Sequence, residues 1–429
     1  MLRGNGFDMK ARTLMIVRCL RSSITESAPS MSSSLIDRLA RQRGQQSHDL
    51  DGLSPRVPTL VEALSAIQDP RRRQGRRHLL AAVLAIALVA VLCGASSPRA
   101  IARFAATLPQ HRLAAFGTWC DRRGRFHAPA YATILVLMGR LDGDAVDACL
   151  GAFFQAVAAD AAVEDPAAHP VGYALDGKTV RGAKTGLSPA PHLVAVLHQG
   201  SGLVVGQRAV DAKSNEITAF APVLDQIGDL AGAVVVADAL HTQRGHAEYL
   251  HGREAYYCLP VKDNQPNLFT LLDALPWEKT PIAHEETEVS RGRRETRDIR
   301  VLPAPDGCFP YAAQVFLIER HVTDPARPGL RHVAHLGITS APAHLAGPAD
   351  LAGYVRNEWG IEVLHNIRDV TYREDASKVR TANRPRIMAT LRNTAIGLIR
   401  IANWSSIPDA HAHYRENKDH ALHLLGLSG

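Results

Sequence analysis

No Cys-x-x-Cys pair occurs in this 429-residue chain, and its six cysteines (Cys19, Cys93, Cys120, Cys149, Cys258, Cys308) lie far apart. That spacing argues against a zinc finger and against the disulfide framework of a small secreted domain, so the thiols read as reduced, in a cytoplasmic protein. Also missing is an apolar run long enough to span a bilayer. The longest, Leu79 to Cys93, stops short of the roughly 20 residues a spanning helix needs and reads as a buried core helix, with no membrane partner. Lysine is absent from Ile36 to Ala130, where 15 arginines face 6 acidic residues. The whole chain carries +7, so the basic excess is concentrated here, and it points either to a polyanionic partner or to a solvated basic surface.

What is present is ordinary for a globular protein: 46% hydrophobic and 21% charged residues, in a length that predicts two or three domains. Residues 1–35 are Ser-rich without periodicity and read as a disordered leader, with Met31 an alternative start. Residues 55–157 follow a helical pattern: an amphipathic LVEALSAI, the Arg71–Arg77 cluster, the apolar run, then helical stretches near 98–107 and 129–157. After an Ala/Asp/Pro-rich linker the period changes to that of strands, in VGYALDGK, HLVAVLHQ and GLVVGQRAV. A helix (216–227), a strand (AVVVADA), a helix (243–251), a strand (YYCLPVK) and a helix (265–275) follow. This order is that of a ribonuclease-H-like α/β core, expected over 165–403 with a β-rich insertion at about 280–342. Helices at 349–368 and 386–403 close it, and 404–429 reads as a tail.

Asp176 stands near the end of the first core strand and Asp238 ends VVVAD. A carboxylate closing a buried strand is costly unless it is paired or metal-bound. Two of them on adjacent strands suit a hard divalent cation. A third ligand from the later helix is either Glu358 or Glu362, which share a face at i, i+4. Glu362, between Ile361 and Val363, reads as set in an apolar face, and Glu358 as the solvent edge. Three carboxylates suit two metal ions and in-line phosphoryl transfer without a protein nucleophile.

The segments YALDGKTVRGAKTG, DAKSNEITAF, VVADALHTQ, LPVKDNQPNLF, GRRETR and WGIEVLHNIRDVTYREDAS resemble the Asp-Asp-Glu transposases of bacterial insertion sequences. The branch they resemble includes the H-repeat-associated proteins, and the likeness runs from about residue 60 to the C-terminus. It implies that Asp176, Asp238 and Glu362 form a triad for two ions, Mg²⁺ or Mn²⁺. It also implies DNA as substrate and partner, at element ends and targets, with a homodimer in the synaptic complex. The family's His-Trp-x-Ile-Glu-Asn text is here Glu358-Trp359-Gly360-Ile361-Glu362-Val363, and a later family Trp is Asn366. An inactive or domesticated DNA-binding derivative is therefore the alternative to an active transposase.

Near the triad, Lys178, Arg181, Lys213, His241, Lys262 and Arg356, with the neutral donors Gln243, Asn264 and Gln265, are candidates for phosphate contacts. Arg71, Arg72 and Arg73 are the first candidates in the N-terminal region. The text Gly172…Gly177-Lys178-Thr179 also fits a phosphate-binding loop. Tyr173 to Leu175 read as strand, however, and Asp176 would repel a nucleotide, so that match is accidental.

Overall fold

The computed structural model describes residues 57–163, 169–186, 189–210, 215–290, 292–324 and 327–427; the expected leader lies outside them. They form two compact units, residues 57–256 with 354–427, and residues 257–353.

The larger unit opens with six helices. The first, α1 (Leu60–Ala66), starts at a capping box: the Thr59 hydroxyl accepts from the Glu62 amide, and the Glu62 carboxylate accepts from the Thr59 amide. In α2 (Leu80–Leu92) every residue from Ala82 onward is buried. A helix apolar on all sides has to be enclosed, and α2 packs against α1, α3 (Pro98–Ala106) and three helices from the end of the chain. Among the described residues no helix is long and apolar enough to cross a membrane. After α4 (Gln110–Ala115), the single helical stretch expected near 129–157 is two helices, α5 (Tyr131–Arg140) and α6 (Gly143–Val163). Leu141 turns extended (ψ 138°), and Asp142 Oδ1 accepts from the amides of Asp144 and Ala145, starting a new helix.

Four strands follow: β1 (Gly172–Thr179), β2 (His192–His198), β3 (Leu203–Val210) and, after α7 (Glu216–Leu224), β4 (Val234–Ala237). Their order is β3-β2-β1-β4. The pairs β1/β2 and β2/β3 are antiparallel, whereas β1 and β4 are parallel in the register Gly172↔Val234 to Leu175↔Ala237. A parallel pair needs a long connection, which β2, β3 and α7 supply. Gly177, Lys178 and Thr179 are laddered to β2, so this segment is strand and no phosphate loop. Helix α8 (Arg244–Gly252) comes next.

The smaller unit holds β5 (Tyr256–Val261), α9 (Pro266–Asp273) and the strands β6 (His284–Ser290), β7 (Arg293–Pro303), β8 (Gln314–Asp324) and β9 (Arg327–Thr339). All its pairings are antiparallel, in the order β5-β9-β8-β7-β6.

The chain re-enters the larger unit through α10 (Pro348–Val370), then α11 (Arg384–Ile401), α12 (Ile407–Glu416) and α13 (Lys418–His423). The stretch expected as a tail thus carries two helices. They are fastened to the N-terminal helices: Cys93 Sγ donates to the Tyr414 carbonyl, and Arg112 holds Asp419 at 2.8 Å. Helix α11 packs on α2, α5, α6 and β3, so the N-terminal helices share one core with the strands. The cause is in α2, whose all-apolar surface needs more cover than its sequence neighbours provide. Where α10 meets α11, Arg368 and Arg392, both almost fully buried, clasp the buried Glu374.

Candidate active site

The last paired residues of β1 and β4 are Leu175 and Ala237. The next residues, Asp176 and Asp238, therefore begin one strand spacing apart, about 4.8 Å in the backbone. Asp176 is about one third exposed. Asp238 is exposed and caps the single 3-10 turn Ala239–His241, with Oδ1 accepting from the Leu240 amide at 3.0 Å. Partial loss of water pushes the Asp238 carboxyl above its ordinary range, and the charges of Asp176 and Glu216 add to the effect. Crowded anions of this kind favour a bound cation.

Helix α10 runs beside β1. His365 Nδ1 lies 3.3 Å from Asp176 Oδ2, and Lys178 Nζ donates to Asp369 Oδ2 at 2.5 Å. At 100° per residue, Glu358, Glu362, His365 and Asp369 form one stripe along the helix. A Cβ on Gly360 would meet Leu197 of β2 at 3.2 Å, so that side of α10 faces β2. Glu362, 200° further round the helix, is turned away from β2 and is exposed. Burial holds the His365 ring below its ordinary pKa, helped by Arg368 and Lys178 against the pull of Asp176.

On the other face of the sheet, Glu216 accepts from His192 at 2.7 Å, and His192 Nδ1 meets Thr179 Oγ1 at 2.8 Å. His241 lies 3.8 Å from the second Glu216 oxygen. The bond to His192, reinforced by His241, pulls the Glu216 carboxyl down to about 2. Gly177 is required here, since a Cβ would sit 2.5 Å from the Glu216 carboxyl and from His192 Nε2.

Several sequence expectations are corrected. Glu362 is exposed and Glu358 half-buried, the reverse of what their apolar and polar neighbours suggested, because the buried positions of this stretch are Ile361, Leu364 and Arg368. Asp176 is level with His365, which puts Glu362 about 4.5 Å back along the axis and Glu358 about 10.5 Å back. Lys178 is buried in its pair with Asp369, and His241 is fully buried beside Phe220 and His246, so neither faces a phosphate. Arg71 is buried too, bonded to Asp69 and the His78 carbonyl. Arg72, Arg73 and Arg181 are exposed, Arg356 and Gln243 half-buried, and Gln243 donates to the Leu240 carbonyl. Lys262 and Asn264, exposed, and Gln265, half-buried, follow β5 in the smaller unit. Lys213 lies outside the described residues.

His365, Asp369, His192 and Glu216 were not singled out from the sequence. The i+3 and i+7 spacings of His365 and Asp369 from Glu362 were the available signal.

Two aspartates just past the end of a parallel strand pairing, Asp176 within β1 and Asp238 after β4, flanked by an acidic helix stripe, define an α/β protein with a carboxylate centre suited to a hard divalent cation. Comparison with known proteins makes this specific. The model of the transposase DDE domain matches residues 168–398, and that of the associated region, DDE_Tnp_1-associated, matches residues 61–154. The chain belongs to the transposase DDE-domain family. It is similar to "Putative transposase YncI" of Escherichia coli O157:H7, 28% identical over 80% of this chain and 88% of that protein. "H repeat-associated putative transposase YhhI" of Escherichia coli K12 is 26% identical over 79% of this chain and 90% of its own length. A protein from the dhlA 3' region of Xanthobacter autotrophicus is 33% identical over 58% of this chain and 82% of its own length.

Proposed function

We propose that this chain is a DNA transposase that cleaves and joins strands at insertion-sequence ends by in-line phosphoryl transfer, with Asp176, Asp238 and Glu362 holding two divalent ions. The observation that carries the reading is the β1/β4 register, which brings Asp176 and Asp238 onto neighbouring strands; Glu362, on the helix whose His365 touches Asp176, is the proposed third ligand. An all-carboxylate donor set fits Mg²⁺ or Mn²⁺. Bound there, such ions supply activation of the attacking oxygen and stabilisation of the leaving oxygen.

The chain's own residues prepare the centre. His365, 3.3 Å from Asp176, orients that carboxylate. The Lys178–Asp369 pair ties β1 to α10 one step beyond it. The Leu240 amide fixes one oxygen of Asp238. A ribonuclease-H-like core is part of the proposal, supported by the β3-β2-β1-β4 order and the parallel β1/β4 pair. The β-rich segment then enters as an insertion between Asp238 and Glu362.

Arg181, Lys213, Gln243, Lys262, Asn264, Gln265 and Arg356 are proposed phosphate contacts of the core. Arg72 and Arg73 are those of the N-terminal helices, which help hold the element ends. Joining two ends calls for two active sites, hence a homodimer on DNA, working in the cytoplasm on chromosomal or element DNA.

The test is cleavage of supercoiled DNA carrying the native element ends with Mg²⁺ or Mn²⁺. Activity should vanish in Asp238→Ala and Glu362→Ala and survive in Glu358→Ala. Loss in Glu358→Ala alone moves the third ligand along α10. Tight DNA binding without cleavage by the unmutated chain would instead support an inactive derivative, the outcome to which Val363 and Asn366 point.

A further inference from the structure

A second cluster of metal-ligating side chains lies in the smaller unit, on one face of β7, β8 and β9. Glu319 and His321 are two apart on β8 and so point to the same face. His332 of β9 stands directly opposite His321, and Asp298 of β7 directly opposite Glu319. The ligand atoms of Glu319, His321 and His332 all lie within 4.8 Å of one another. His332 Nε2 is 2.7 Å from Glu319 Oε1, and the two imidazoles stack with centroids 4.7 Å apart.

We infer that Glu319, His321 and His332 form a site for a divalent transition metal of the zinc type, separate from the carboxylate centre. Two imidazoles and one carboxylate are a donor set for borderline ions, whereas Mg²⁺ prefers oxygen alone. Tetrahedral bonds of about 2.0–2.2 Å set donor atoms about 3.4 Å apart, so the Glu319–His332 pair at 2.7 Å opens and the wider separations, within 4.8 Å, close, an adjustment within reach of side-chain rotation on strands already in register.

The surroundings are those of a held site. Asp298, 5% exposed, meets His321 Nε2 at 3.2 Å through Oδ2, the carboxylate–histidine arrangement that orients metal-binding imidazoles. Arg300 donates to Asp298 Oδ1 and also to Glu319, fixing both carboxylates. One guanidinium against two carboxylates leaves one negative charge for the ion. His321 and His332 are each about a third exposed, which gives the ion a path in and leaves room for water at an open position.

The experiment uses the full chain without an affinity tag and with Asp238→Ala, which disables the other centre, stripped by chelator and titrated with Zn²⁺ in a calorimeter. One Zn²⁺ should bind, and adding His332→Gln or His321→Gln should weaken it by on the order of a hundredfold. Zn²⁺ should raise the melting temperature of the Asp238→Ala chain and not that of the double variants. Loading the Asp238→Ala chain with Co²⁺ should give the intense visible bands of a low-coordinate nitrogen site, a readout available even if the histidine variants fail to fold. No Zn²⁺ binding, affinity unchanged by both substitutions, or a nearly colourless Co²⁺ complex would overturn the assignment.

Discussion

Replacing Glu374 with Gln tests how the helix bearing the site is held. The Glu374 side chain is fully buried. Its Oε1 accepts from Arg368 Nε at 3.0 Å and Nη2 at 2.6 Å, and its Oε2 accepts from Arg392 Nη1 at 2.6 Å. Burial alone would raise the Glu374 pKa, but the two guanidinium charges outweigh it and hold the carboxyl below its ordinary range. Gln keeps the shape and removes the charge, leaving two buried cations without their anion. Loss of one partner of a buried ionic cluster costs about 3–5 kcal/mol, a large part of the roughly 5–15 kcal/mol that keeps a domain folded.

The melting transition of the larger unit should fall by about 6–10 °C, at about 2 °C per kcal/mol. The sign with pH follows from the lowered pKa: the contribution is complete above the ordinary carboxylate range and is lost as pH falls through the folded-state value. Wild type and Glu374→Gln should therefore differ most near neutrality and converge in acid. Replacing Arg368, Glu374 and Arg392 together with apolar residues should restore much of the loss. A Glu374→Gln chain within about 1 kcal/mol of wild type at pH 7 by calorimetry would refute the reasoning.

His365→Ala should lower the DNA cleavage rate about 10–100-fold and raise the Mg²⁺ concentration needed, since Asp176 loses its neighbour at 3.3 Å; an unchanged Mg²⁺ titration would count against it. Glu216, drawn down to about 2 by His192, contributes stability that is present above about pH 4.5 and lost as pH falls toward 2, about 3 kcal/mol at most. Glu216→Gln should show a lower and flatter stability–pH curve in urea titrations. Arg72→Ala with Arg73→Ala should reduce the salt dependence of DNA binding, by up to about 0.9 in logarithmic slope for each phosphate left unneutralised, measured by fluorescence anisotropy. Arg71→Ala, which removes a buried partner of Asp69, should lower thermal stability instead.

Periodicity and local chemistry were enough to read the element order, because they are properties of neighbouring residues. Alternating apolar residues in β1–β3 and the all-apolar α2 each state whether one face or every face must be covered. A carboxylate among the apolar residues of a strand announces its cost locally, so Asp176 and Asp238 stood out, although Asp176 lies inside β1 and only Asp238 follows the last residue of its strand. Tertiary structure decided what depends on residues far apart in the chain. The β1/β4 register placed the two aspartates side by side, and packing of α10 on β1 exposed Glu362 and buried Lys178, inverting what their neighbours in sequence implied. The binding of α12 and α13 to α2, and the meeting of Glu319, His321 and His332 across two strands, arise the same way. Burial and pairing are set by which surfaces meet, and a residue's sequence neighbours carry that information only when they also form its walls.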